Sequence, residues 1–266
     1  MKQLAAVLLL IALYPLASST HVVAAPTSVT YTGSAPTNVK NEKGVILKAT
    51  ATFTVSNLDL IIAMSNISTN APKTASDILT GIFFDISTNL AFTPVSAMVG
   101  PDSTTGAPLL GESDFDVSGQ WAYKGDLPTG NLSKDAPGEY GLSDTKFSFF
   151  KKSNLLSDIK LPGTSPLSGV QFGITDMSNF DPKARGSIKH ADLIINTIDL
   201  ALNGLSVNFS LTDISDVTFV FGKSINKGID ISGEMVAQIP EPGTVALVAI
   251  GLLGALTLTR SGVRRR

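Results

Sequence analysis

The 266-residue chain contains no cysteine, one tryptophan and two histidines. Without cysteine there can be no disulfide and no thiolate chemistry, so a domain exported to an oxidising compartment must be held by its core alone. Past the first 24 residues the one histidine is His190. His190-Ala191-Asp192 has the look of a catalytic pair, but no G-x-S-x-G elbow exists to supply a nucleophile, and a surface histidine is the simpler reading. HExxH, Walker and GxGxxG patterns are absent as well. So is any long amphipathic helical pattern between residues 25 and 238. Charge of one sign is scarce too. With Lys2, the four tail arginines and Glu241 set aside, the 20 basic and 22 acidic residues fall to 15 and 21, a body charge of about −6. No basic stripe remains, which argues against a nucleic-acid partner.

Long hydrophobic runs are confined to the two ends. At the start, Lys2 precedes an apolar stretch over residues 4–16 broken only by Pro15, and Val22-Val23-Ala24 offers a small residue before a cut. This reads as a secretory signal peptide, residues 1–24, removed near Ala24-Ala25 by signal peptidase after Sec export. An uncleaved N-terminal anchor is the alternative. At the other end, residues 244–259 carry neither charge nor proline. At about 1.5 Å per residue such a helix falls slightly short of a ~30 Å hydrocarbon core. Arg260, Arg264, Arg265 and Arg266 follow it; they can snorkel to the headgroups and favour the cytoplasmic side. Just before it, Pro240, Glu241 and Pro242 disfavour helix and leave an extended, accessible stretch.

This order of Pro-Glu-Pro, apolar helix and basic end over residues 239–266 resembles the PEP-CTERM sorting signal. The resemblance implies exosortase as a partner, a transient stay in the inner membrane, and a Gram-negative cell that makes exopolysaccharide. It also implies a final place on the cell surface or in the extracellular matrix.

Residues 25–238 form the body, long enough for one well-filled β domain. Period-two alternation recurs in it. Residues 49–55 (ATATFTV) put Ala49, Ala51, Phe53 and Val55 on one face, with threonine between. Ser56-Asn57 makes a turn, and Leu58, Leu60, Ile62 and Met64 alternate again, which predicts a β-hairpin. Residues 78–86 (ILTGIFFDI) predict a more deeply buried strand. Residues 207–211 and 217–221 predict a late strand pair, while residues 191–202 fit strand or helix. Loops are expected over 100–111, 125–141 and 162–169, where Gly, Pro, Ser, Asn and Asp cluster. The body is therefore expected to be all-β, an antiparallel sandwich or jelly roll. One domain is favoured over a split near residues 125–145.

Few residues suggest chemistry. Asp114, Asp116, Ser118 and Gly119 resemble the opening of a calcium loop, but Gly125 stands where a bidentate glutamate is needed, and an Asx turn explains the pattern better. Trp121 and Tyr123 are two apart, so a strand would send both to one side. Exposed, they could stack on sugar rings; buried, they are core anchors, the simpler reading. No cofactor is implied.

The body also resembles a family of exosortase-dependent bacterial surface proteins. The resemblance rests on the order of ATFTVSNLDLIIAMSN, residues 77–84, residues 93–97, Gln120-Trp121-Ala122-Tyr123, Glu139-Tyr140-Gly141-Leu142, residues 170–174 and Ile214-Ser215-Asp216-Val217. It implies no catalytic residues. Two functions follow as expectations. One is a non-enzymatic surface or matrix protein linked to exopolysaccharide and biofilm. The other is a carbohydrate-binding or carbohydrate-cleaving β-sandwich using Trp121, Tyr123 and loop acids.

Overall fold

The computed structural model describes residues 28–35, 46–69, 72, 74–101, 103–105, 116–129, 136–158, 161, 165–176, 188, 191–223, 225 and 229–236. The expected signal peptide, the sorting tail, Asp114 and His190 lie outside these residues.

The described body is all-β, as its alternation predicts. Its strands are β1 Ser28–Ser34, β2 Lys48–Ser56, β3 Asp59–Asn66, β4 Leu79–Ile86, β5 Thr93–Val99, β6 Thr104–Thr105, β7 Ala122–Lys124, β8 Tyr140–Ser143, β9 Ile174–Thr175, β10 Ile194–Ile195, β11 Thr197–Asn203, β12 Ile214–Phe221 and β13 Ile229–Val236. Short 3₁₀ turns cover Ala75–Asp77, Lys152–Asn154 and Leu211–Asp213.

The strands form one barrel-like sheet in two layers. The first layer runs β5-β11-β3-β2-β1 and the second β12-β4-β9-β10-β6, with β8 and β7 also joined to β4. Strand β13 turns the corner between them. Its residues 233–236 pair with β1, and its residues 229–232 pair with β12. Gly33 and Gly233 face each other at that corner. A Cβ on Gly33 would fall 2.8 Å from the Phe219 ring, and one on Gly233 would fall 3.1 Å from it. Glycine is thus what lets the sheet fold over Phe219. On the opposite side Asn196, at φ 90°, is the one residue between β10 and β11 and carries the chain from one layer to the other.

The core follows from the pattern. Ala49, Ala51 and Phe53 of β2 and Leu60, Ile62 and Met64 of β3 are buried on one face. Fully burying one such large side chain stabilises by about 1.5–3 kcal/mol. Strand β4 is buried on both faces. Ile82 and Phe84 enter the main core, while Phe83 packs with Phe147, Phe150 and Val220 beneath residues 144–158.

The expected sandwich or jelly roll is instead one continuous barrel-like sheet, because β13 bends across the corner and pairs with both layers. Two further expectations are corrected and one open stretch is resolved. Leu58 is a turn residue, 46% exposed, because the left-handed Asn57 (φ 57°) starts a tight turn that pairs Ser56 with Asp59. Residues 207–211 are not a strand; Val207 is 87% exposed in a loop, and β12 begins at Ile214 between β4 and β13. The open stretch 191–202 becomes β10, the bend at Asn196, and most of β11.

Strand directions give the barrel two ends. Ser28 lies opposite Thr54 and Val236 opposite Thr30, so the first and last strands both reach their outer termini at the end that holds the β2–β3 turn. Loop 204–210, Ile86 and the start of β12 lie there too. We call this the exit end, and the other the distal end.

Candidate functional site

At the exit end an aromatic chain crosses the core. Tyr31 and Phe53 meet edge to face at 5.6 Å, Phe53 and Phe84 at 5.4 Å, and Tyr140 stacks on Phe84 at 5.7 Å. Phe92 is set edge-on to both Tyr140 and Tyr123. These rings come from β1, β2, β4, β7, β8 and the approach to β5, so they tie both layers together. Their hydroxyls do the same. The Tyr31 hydroxyl donates to the Ile214 carbonyl at 2.7 Å, and the Tyr140 hydroxyl accepts from Leu90 N at 2.9 Å and donates to Leu90 O at 3.1 Å.

At the same end opens a cleft of about 540 Å³. Asp85, Asp126 and Glu139 line it, with Ser87, Asn89 and Ser215 as further polar groups and Ile86 and Leu127 as apolar ones. Each acid arrives differently. Asp85 is carried by β4 opposite Ser215 and accepts the Glu139 N–H at 2.6 Å. Asp126 sits just after β7 in a left-handed conformation, φ 51°. Glu139 precedes β8, and its carbonyl accepts from Leu127 N at 3.0 Å. The acids act on Tyr123 and Tyr140. Burial pushes the Tyr123 hydroxyl pKa up, and Tyr140 and Asp126 add to this. Burial also raises Tyr140, against the Leu90 hydrogen bond and with help from Glu139, Asp126 and Asp85. Both tyrosines therefore stay neutral. The cleft can offer carboxylates, hydroxyls and an amide to a polar or cationic ligand.

The expected sugar platform does not form. Trp121 and Tyr123 do face one side, but that side is the core: Trp121 is 0% and Tyr123 8% exposed. The Trp121 indole N–H donates to the Phe172 carbonyl at 3.2 Å. No ring face is left for a sugar.

At the calcium-like loop, Asp116 Oδ1 accepts both the backbone N–H and the hydroxyl of Ser118. The Ser118 oxygen in turn accepts from Ala97 N at 2.8 Å. This is an Asx turn that ties the loop to β5. Among the described residues no three His, Cys, Asp or Glu side chains are grouped to hold a metal.

The group that sequence reasoning missed lies at the distal end. Asp144 is buried, 1% exposed, and its Oδ2 has no hydrogen-bond partner. Its Oδ1 lies 3.0 Å from the Thr145 hydroxyl, which also lies 2.6 Å from the Gly169 carbonyl. A hydroxyl has one proton, and a carbonyl can only accept. The Thr145 hydroxyl is the donor, its one proton shared between Asp144 Oδ1 and the Gly169 carbonyl, so Oδ2 is left with burial alone. Burial pushes the Asp144 carboxyl pKa well above its ordinary value, in agreement with a neutral acid. Gly173 closes the pocket: a Cβ there would fall 2.9 Å from Oδ2 and 2.5 Å from Ile78 Cγ2. In the sequence Ser143-Asp144-Thr145 reads as one more polar turn, and only burial sets it apart.

The sorting residues Pro240, Glu241 and Pro242, and Arg260, Arg264, Arg265 and Arg266, lie outside the described residues. Among the described residues no helix is long and apolar enough to cross a membrane. Comparison with known families finds the PEP-CTERM protein-sorting motif over residues 238–266. No curated protein and no solved structure matches the chain. The motif marks an exported protein sorted at the membrane toward the cell surface, with exosortase as the enzyme that reads it.

Proposed function

We infer, from a chain that ends in a PEP-CTERM sorting motif, a non-enzymatic surface or matrix protein of a Gram-negative bacterium, linked to its exopolysaccharide and biofilm. Signal peptidase removes residues 1–24. Residues 244–259 then hold the chain in the inner membrane as a short transmembrane helix, with the terminal arginines in the cytoplasm. Exosortase acts at Pro240-Glu241-Pro242 and frees the body. The observation that carries this reading is the motif itself. The geometry supports it, because Ser28 and Val236, the outer ends of β1 and β13, lie at one end of the barrel. Changing Pro240, Glu241 and Pro242 together to alanine keeps the apolar run and the charges. The uncut precursor should then accumulate in the inner membrane, as read by mass spectrometry of the C-terminus. An intact Arg266 on most of the surface-exposed wild-type protein would overturn the reading.

The acid-lined cleft favours a second reading, a carbohydrate-binding or carbohydrate-cleaving barrel. With Trp121 and Tyr123 in the core, that reading rests on Asp85, Asp126 and Glu139. A polysaccharide screen settles it. Turnover or binding lost in Asp126→Asn or Glu139→Gln would support the second reading, and its absence in the wild type would remove it.

A further inference from the structure

We propose that the exit end of the barrel rests on the lipid surface for as long as the sorting tail holds the chain in the membrane. The proposal depends on the anchor reading above and adds the surface that meets the bilayer.

Large apolar side chains crowd this end. Among the described residues six are exposed: Leu58 46%, Ile67 41%, Val95 49%, Val207 87%, Met235 52% and Val236 50%. Only Ile67 belongs to the distal end, where its N–H donates to the Lys48 carbonyl. Leu58 lies in the β2–β3 turn, and its carbonyl accepts from Gly204 N and Leu205 N at 3.1 and 3.0 Å. That joins the turn to the loop that carries Val207. Val95 is the extra residue where β5 bulges against β11, between the pairs Pro94–Leu202 and Ser96–Ala201. Met235 and Val236 end β13.

The length of chain beyond β13 says what covers them. Eight peptide steps separate Val236 from Thr244, where the apolar run begins. At about 3.3–3.6 Å each they span less than about 30 Å even when fully drawn out. A body held so close meets the bilayer at an effective concentration of about millimolar, so a small apolar contact is enough. Charge selects the kind of surface. Asp59, Asp85, Asp126, Glu139, Asp213 and Asp216 all lie at this end. Anionic lipid repels them, so the contact is made by the apolar side chains and favours zwitterionic headgroups.

The cysteine-free chain makes the test direct. Val207→Cys and Ile67→Cys each give one site for a fluorophore, and both positions are exposed, so folding is undisturbed. The full chain is reconstituted into phosphatidylethanolamine vesicles with a minority of phosphatidylglycerol, some lipids carrying a headgroup nitroxide. Flotation of the same sample reads tail insertion separately. The expected result is several-fold stronger quenching at position 207 than at 67, with the difference shrinking as phosphatidylglycerol is raised at low salt. Equal quenching at both positions in floated vesicles would overturn the proposal and leave the anchor reading intact. Shielding at 207 that tracks protein density and not the lipid quencher would assign the surface to a second copy of the chain, and overturn it too. A chain that fails to float would remove the anchor reading and this proposal together.

Discussion

Replacing Asp144 by asparagine should make two stability curves cross as pH rises. The folded state holds a proton on Asp144 that the unfolded chain releases near the ordinary value of 3.8. Below that value both states are protonated, and the contribution of the neutral acid to stability is fully present. Above it the unfolded state gains by ionising and the folded state does not, until pH reaches the raised folded pKa. Stability therefore falls with rising pH across that window, by about 1.4 kcal/mol per unit. Asparagine cannot ionise, so its curve lacks this fall. The amide carbonyl can accept from the Thr145 hydroxyl as Oδ1 does, and its NH2 takes the place of Oδ2. The N–H groups then find no acceptor in a site that Gly173 and Ile78 close, at a cost of about 1–3 kcal/mol. At the acid end the variant is thus the weaker protein. A deficit of that size is offset within roughly one to two pH units, and at neutral pH Asp144→Asn is the more stable form. Urea unfolding of the full chain in mild detergent, at a series of pH values, measures the difference. Trp121 is the probe: it is the single tryptophan, is buried, and is bonded to Phe172 beside Gly173. A difference between the two proteins that stays constant from about pH 4 to pH 7 would show that Asp144 is charged in the folded state, and the burial argument would fall with it.

The remaining predictions also use urea unfolding, except the last; circular dichroism is the readout for Trp121→Phe, which removes the tryptophan probe. Tyr140→Phe keeps the stack on Phe84 but leaves Leu90 N and O without their partner, and should cost about 1–2 kcal/mol. Gly173→Ala drives a methyl into Ile78 and the Asp144 carboxyl, and should cost about 1–3 kcal/mol, read as a lower urea midpoint. Trp121→Phe should lose about 1–3 kcal/mol through a small cavity and an unpaired Phe172 carbonyl, and should leave any polysaccharide binding unchanged because the ring is buried. For the tail, deleting Arg260 to Arg266 should weaken membrane retention, whereas the triple alanine variant of the motif should retain the chain uncut; fractionation of the inner membrane distinguishes the two.

How much of this was legible depends on whether each strand has one wet face. β2 and β3 do, so threonine alternates with Ala49, Ala51 and Phe53, and the hairpin could be read directly. β4 is covered on both faces and shows itself as an unbroken apolar run instead. β1 and β13 went unread. Gly33 and Gly233 interrupt them, and their purpose appears only when Phe219 is seen beneath the corner. The segment 207–211 misled because Val207, Phe209 and Leu211 alternate like a strand. In the fold Val207 points out, Phe209 is half-buried and Leu211 opens a 3₁₀ turn, so the same spacing serves a loop that caps the barrel end. The cleft could not be read because its acids come from three separate elements. The Asp144 site could not be read either, since no local pattern distinguishes a buried acid from a solvated one.

The sorting signal and the fold are separable, and the reason lies in β13. The last buried side chain of that strand is Ile231; from Glu234 to Val236 the residues are exposed. Only Ala237, Gln238 and Ile239 stand between the strand and Pro240. Processing at the motif therefore removes no side chain of the described core, and the pairing of β13 with β1 and β12 remains whole. If the tail anchors the chain as proposed above, the same short connection keeps the uncut body within reach of the membrane, a longer linker would free the barrel from the bilayer, and a shorter one would draw Met235 and Val236 out of the sheet. Strand β13 thus separates two requirements. Its first half closes the corner over Phe219 and holds the fold, and its last residues present the motif without loading the core.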